Sequence, residues 1–289
     1  MKQQLTNAQQ EAHRRQRDLT LRQVAAHTYL WFLLLLLYAP ILLIIVFSFT
    51  KSKVLGNWTG FTVQLYENLF TGYDSVAQVH VDPNLYHSLF YTLLIAVIAA
   101  TCATLLGTLA AIGIHNMRQK SRNAIQFLNS IPMINPDILT GISLFLLFVF
   151  LGISRGLVTV IIAHIVFCTP YVVLSVLPRL TKMNPNIYEA ALDLGATPGQ
   201  ALRKVLVPEL WPGMISGFIL SLTLSIDDFG VTFFTKGSNG LETLSTFIYA
   251  DARKGGLTPE LRPLFSLIFL TILVLLVIMN IRSRKQTKK

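Results

Sequence analysis

Asn184-Pro185-Asn186-Ile187-Tyr188-Glu189-Ala190-Ala191-Leu192-Asp193-Leu194-Gly195-Ala196-Thr197-Pro198, continuing to Val205-Leu206-Val207-Pro208, is a polar stretch set between two long apolar runs. Asn184-Pro185 and Thr197-Pro198 each place a helix N-cap ahead of a proline in the first turn. Gly195 supplies the positive φ that ends a helix. The stretch therefore predicts two short helices joined at a sharp bend. Ile187, Ala190, Ala191 and Leu194 fall on one face of the first helix, at three- and four-residue steps. Two alanines make that face narrow and smooth, a shape suited to a groove on another protein. The competing reading is an amphipathic helix lying on the bilayer surface.

Outward from this stretch the chain is apolar. Of its 289 residues 53% are hydrophobic and 13% charged, with a mean hydropathy of +0.56; a soluble domain carries about twice that charge. The long uncharged runs Val24–Thr50, Pro83–Asn116, Ile138–Ser154, Gly156–Pro178, Leu210–Ile226 and Pro263–Ile281 approach or exceed the length that crosses a ~30 Å hydrocarbon core, and spans are expected at about 29–50, 87–114, 132–153, 156–178, 211–235 and 263–281. The reading is an all-α polytopic membrane protein with six transmembrane helices. It has an N-terminal tail at 1–28, a basic C-terminal tail at 282–289, and the opening stretch, 184–209, between the fourth and fifth spans. Pro40 is a candidate kink in the first span. Ala99, Ala103, Gly107 and Ala111 follow one another at four-residue steps and predict a close helix-packing face.

The net charge of +10 invites a nucleic-acid reading, which its distribution argues against. On this topology 17 of the 24 Lys and Arg fall on cytoplasmic segments, as the positive-inside rule requires when both termini are inside. The N-terminal 22 residues are too long and too charged for the n-region of a cleaved signal peptide. Cys102 and Cys168 both fall within spans, so a structural disulfide is not expected.

The spacing Glu189-Ala190-Ala191, three residues, Gly195, nine residues, Val205, one residue, Val207-Pro208 resembles the EAA loop of binding-protein-dependent ABC importer permeases. Further stretches narrow the resemblance. Pro136-Asp137-Ile138 with Gly141-Ile142-Ser143-Leu144 is similar to the third span of polyamine permeases of the PotC type. His164-Ile165-Val166-Phe167-Cys168-Thr169-Pro170-Tyr171-Val172-Val173 is similar to their fourth, and Leu222-Thr223-Leu224-Ser225-Ile226-Asp227-Asp228-Phe229 to their fifth. Gly230-Val231-Thr232-Phe233-Phe234 departs from that pattern, and Asp228-Phe229-Gly230 is also similar to permeases for iron and other cations.

The resemblance implies a type I ABC importer permease fold in a bacterial inner (plasma) membrane. Glu189, Ala190, Ala191, Gly195, Val205 and Pro208 would couple it to a cytoplasmic ATPase. The partners implied are a second, PotB-like permease, two PotA-like ATPases and a PotD-like extracytoplasmic binding protein. No cofactor or metal is implied for this chain, and ATP is bound by the ATPase. The sequence agrees that any ATPase is a separate chain, since it contains no Gly-x-x-x-x-Gly-Lys-Ser/Thr loop.

Two acidic residues in the fifth span are the candidates for chemistry. If that helix starts near Trp211, Asp227 lies roughly 24 Å along it, where a carboxylate is costly unless it faces water or a partner. Either one of Asp227 and Asp228 lines the path and attracts a multivalent ammonium ion, or the pair marks a helix break or a buried contact with a partner subunit. Asp137, after Pro136 near the cytoplasmic start of the third span, suits a first helical turn, with a place in the exit path as the alternative. His164 is expected to hydrogen-bond to a neighbouring helix, and no second ligand stands at metal spacing. There is no nucleophile elbow, no paired His with Glu and no Cys cluster, so an enzyme is not expected. The function expected is the permease subunit of an ATP-driven importer of polyamines such as spermidine and putrescine. The alternatives are a permease for ferric ion, thiamine or another small cation, and an ion-driven secondary carrier coupled through Asp227 or Asp228, which would need no ATPase dock.

Overall fold

The computed structural model describes residues 2–50, 52, 56–74, 79–184, 186–238, 240–254 and 257–286. The capping proline Pro185 and the last basic residues, Lys288 and Lys289, lie outside the described residues. The chain forms two compact units, Met1–Val81 with Gly256–Lys289, and Asp82–Gly255.

In the first unit, α1 (Lys2–Phe47) is one helix with Pro40 inside it, so no helix boundary separates the predicted tail at 1–28 from the first span. Helix α2 (Gln64–Thr71) leads into a short antiparallel pair, β1 (Tyr73–Asp74) and β2 (Val79–His80). Helix α12 (Leu261–Gln286) closes the unit, and Arg262 near its start donates to the Ser52 carbonyl at 2.9 Å.

The second unit opens with α3 (Pro83–His115), started by Asp82, whose side chain accepts the Asn84 N–H at 2.9 Å. The small-residue face of α3 is the packing face: Ala99, Ala103 and Ala111 are fully buried. A Cβ added at Gly107 would stand 2.6 Å from the Val172 Cβ of α6 (Leu157–Lys182). Gly107→Ala is therefore expected to overpack this contact, at a cost of about 1–3 kcal/mol, and to lower the thermal midpoint of the detergent-solubilised chain. Gly113→Ala is the control, because its new methyl would meet nothing within 4 Å.

The third span differs from the sequence reading of 132–153. Helices α4 (Gln119–Ile134) and α5 (Asp137–Phe150) meet at a 104° bend. Pro136 is the cause: its ring disfavours the helical conformation of the residue before it, and Asn135 turns extended at φ −72°, ψ 141°.

The fifth span differs from 211–235 at both ends. Helix α7 (Asn186–Asp193) stands alone, but the second short helix of the loop does not. It is α8 (Pro198–Ala201), which runs through a π turn (Leu202–Leu206) into α9 (Val207–Asp227), one continuous helix of 30 residues. The wide turn precedes Pro208, which has no N–H and crowds the carbonyl four residues back; the Val207 N–H reaches back to the Leu202 carbonyl instead. At the other end the helix stops at Asp227, Asp228 is extended, and α10 (Gly230–Thr235) restarts it. Helix α11 (Leu244–Arg253) completes the unit.

Arg22–Phe47, Pro83–His115, Leu157–Lys182 and Pro198–Asp227 are long and apolar enough to cross a bilayer. The bent α4–α5 pair is apolar enough only when its two helices are taken together, as a broken span or a re-entrant loop, and Leu261–Thr271 is a shorter apolar helix.

Candidate functional site

The loop between α6 and α9 is shaped by local chemistry. The Asn184 side chain accepts the Asn186 N–H at 3.0 Å and starts α7. Gly195 has φ 87°. Its N–H bonds to the Leu192 carbonyl at 2.9 Å, and the Ala196 N–H to the Ala191 carbonyl at 3.0 Å, the paired bonds of a Schellman C-terminus. No atom stands within 4 Å of where a Gly195 Cβ would be, so the glycine is required by backbone conformation alone. Thr197 and Gln200 then form a reciprocal capping box, at 3.4 Å and 3.2 Å.

The outer face of this loop is bare and its root is fixed. Leu194 is 89% exposed, and Glu189 and Ala190 are exposed beside the half-buried Ala191. Ala201 and Leu206 are buried; Leu206 joins the core with Val176, Leu180 and Leu210. Val205 is half-buried and Pro208 exposed. An exposed leucine at the tip of a smooth alanine face suits a partner surface, and the rooted helix behind it can transmit a push.

At the far end of the same helix lies the break. Asp228 is buried and accepts from the first free N–H groups of α10: Val231 N–H to Oδ1 at 3.1 Å and Thr232 N–H to Oδ2 at 2.8 Å. The Thr232 hydroxyl also donates to Oδ2 at 2.8 Å. His164, fully buried on α6, places Nε2 3.4 Å from the same oxygen and 2.9 Å from Thr232 Oγ1, while Nδ1 lies 2.7 Å from Ser225 Oγ. A carboxylate at a helix N-terminus satisfies orphan donors and meets the positive end of the dipole. His164 is thus bonded to a neighbouring helix, as its position in the sequence led one to expect. Its nearness to Asp228 was not legible there.

Asp227, one residue earlier, points elsewhere and is exposed. Asp137 is exposed as the first residue of α5 and stands within electrostatic reach of both Asp228 and Asp227. The sequence placed Asp137 near the cytoplasmic start of one span and Asp227 in the outer part of another. They come together because both helices are interrupted and two glycines let the interrupted ends touch. A Cβ on Gly141 would be 2.7 Å from the Gly230 carbonyl oxygen, and one on Gly230 would be 3.0 Å from the Ile138 nitrogen. Among the described residues no three His, Cys, Asp or Glu side chains converge to hold a metal ion.

The comparisons with known proteins agree with this architecture. Residues 103–284 match the family described as "Binding-protein-dependent transport system inner membrane component". The chain is 35% identical over 249 residues to the spermidine/putrescine transport system permease protein PotC of Haemophilus influenzae, covering 86% of this chain and 92% of that one. It is 36% identical over 239 residues to the putrescine transport system permease protein PotI of Escherichia coli K12, covering 80% and 81%. In fold it is similar to a chain of a bacterial ABC transporter that imports the acidic polysaccharide alginate, with a TM-score of 0.65 at 14% identity over 91% of this chain and 96% of that one. With its loop, its spans and these matches taken together, the chain belongs to the inner membrane components of binding-protein-dependent transport systems: it is a non-catalytic ABC importer permease of the type I fold.

Proposed function

We propose that this permease conducts polyamines of the spermidine and putrescine class. The observation that carries the reading is the identity of 35–36%, over four-fifths or more of both chains, with permeases of spermidine/putrescine and putrescine transport systems. The exposed Asp227 at a helix break supports it, because a multivalent ammonium ion in an apolar barrier needs compensating negative charge. Asp228, the other candidate for the path, instead holds the break that presents Asp227. Ferric ion, thiamine or another small cation is the rival cargo.

The partners in this reading are a PotB-like permease, two PotA-like ATPases that bind ATP, and a PotD-like binding protein. Closure of the ATPases pushes on Glu189, Ala190, Ala191 and the bend at Gly195. The continuous helix Pro198–Asp227, about 45 Å long at 1.5 Å per residue, links that loop to the acidic break, with Val205 and Pro208 at its wide turn. Loop and path then move as the two ends of one rod.

Uptake of labelled spermidine and putrescine by liposomes holding the co-purified complex tests this proposal. Uptake that needs ATP and the binding protein is the expected result. Uptake driven by an ion gradient without an ATPase would make the chain a secondary carrier, and transport of ferric ion or thiamine alone would replace the cargo. The topology has its own test. A cysteine replacing Gly199, at an exposed position in the loop, should react with an impermeant reagent only from the cytoplasmic side. Labelling from outside intact cells would overturn both the topology and the docking role.

A further inference from the structure

Three aromatic rings stand beside the acidic break, and the polar contacts described above leave them without a task. Phe229 lies in the break itself and Phe233 one turn further on α10, with ring centroids 5.3 Å apart. Tyr249 of α11 joins them, at 4.8 Å from Phe229 and 5.9 Å from Phe233. The arrangement is pinned: the Ser245 hydroxyl donates to the Asp228 carbonyl at 2.6 Å, and Tyr249, four residues on, shares that face of α11. The rings are not enclosed, since Phe233 is 39% and Tyr249 42% exposed. One of them already faces a cation, for the Arg253 guanidinium lies 5.9 Å from the centre of the Tyr249 ring.

We infer that Phe229, Phe233 and Tyr249 form an aromatic subsite that receives an ammonium group, with its adjoining methylenes, of a linear polyamine passing Asp227. The assignment rests on the polyamine reading above and says which residues distinguish such a cargo from a small inorganic cation. An aromatic face attracts an ammonium ion that has shed part of its water, and it packs against methylene groups equally well. A carboxylate offers charge and hydrogen-bond acceptors to the ammonium group but no apolar face to its methylenes. A conducting site must also release what it holds, and a ring face beside a single exposed carboxylate holds an ammonium group less tightly than a second buried carboxylate would.

The test uses the reconstituted transporter with saturating spermidine-loaded binding protein. Phe233 is replaced by mono-, di- and trifluorophenylalanine, which keep the ring's shape and progressively remove the negative charge of its face. The maximal rate of spermidine uptake should fall stepwise, about tenfold across the series, while ATP hydrolysis falls less, so that fewer spermidine molecules cross per ATP. Tyr249→Leu, which removes the ring, should resemble the trifluoro variant, and Tyr249→Phe, which keeps it, should restore most of that loss. A flat fluorination series in a complex that transports spermidine overturns the inference, and so does a loss seen only with Tyr249→Leu, which would make the rings packing groups. If the unaltered complex carries no spermidine at all, the polyamine reading fails first and this inference falls with it.

Discussion

Gly195→Val should reduce ATP-dependent uptake by about tenfold or more while the chain still inserts into the membrane. The Gly195 backbone sits at φ 87°, a region that costs an L-residue about 1–2 kcal/mol and a β-branched residue more. About 1.4 kcal/mol is a factor of ten in an equilibrium. Because nothing lies within 4 Å of the added Cβ, the loss comes from the backbone alone and not from a clash. The strain is relieved by giving up the Gly195–Leu192 and Ala196–Ala191 hydrogen bonds, which frees α7 to swing away from the rooted helix behind it. Gly195→Asn, which tolerates positive φ, should lose much less. Gly199→Ala, at an exposed glycine that has open space and ordinary φ, should lose nothing. Co-purification with the ATPase and uptake are the two measurements. If the valine variant keeps both at their usual level, the lever account is wrong.

Replacing the two adjacent aspartates by asparagine should give opposite phenotypes. Asp228→Asn puts an amide where Thr232 N–H, Thr232 Oγ1 and Val231 N–H all donate within 3.1 Å, and it removes the negative charge at the start of α10. Losing charge-assisted bonds in a buried site costs about 2–3 kcal/mol, so the variant should show a lower thermal midpoint and poorer assembly. Asp227→Asn changes an exposed residue at the end of α9. It should leave the midpoint unchanged and reduce polyamine uptake by about an order of magnitude, since one ammonium group then crosses without a partner charge. Thermal unfolding and uptake measured on both variants decide the matter. Normal transport by Asp227→Asn removes the path role, and a stable, fully assembled Asp228→Asn removes the structural one.

What could be read in the loop was read because it is local. Asn184, Gly195 and Thr197 act on backbone groups within a few residues, and such bonds leave fixed offsets in the sequence; the Gln200 half of the capping box was not read. The apolar spans were legible for a related reason: a helix in hydrocarbon satisfies its own backbone, so composition along a run suffices to mark it. The span ends were read less well. The spans expected at 132–153 and 211–235 run straight across Asn135-Pro136 and Asp227-Asp228, although one junction bends by 104° and the other interrupts a helix.

By itself, then, the sequence determined the all-helical membrane class, the small-residue face of α3, the caps and bend of the loop, and the pair of aspartates worth testing. Only the tertiary structure decided how those aspartates divide their roles. His164 meets Ser225 and Thr232 across 61 and 68 residues of chain, and Asp137 reaches the break because Gly141 and Gly230 let two backbones touch. The physical reason is that a charge in an apolar interior is governed by which groups surround it. Those neighbours are brought from distant parts of the chain by packing, which no local spacing records.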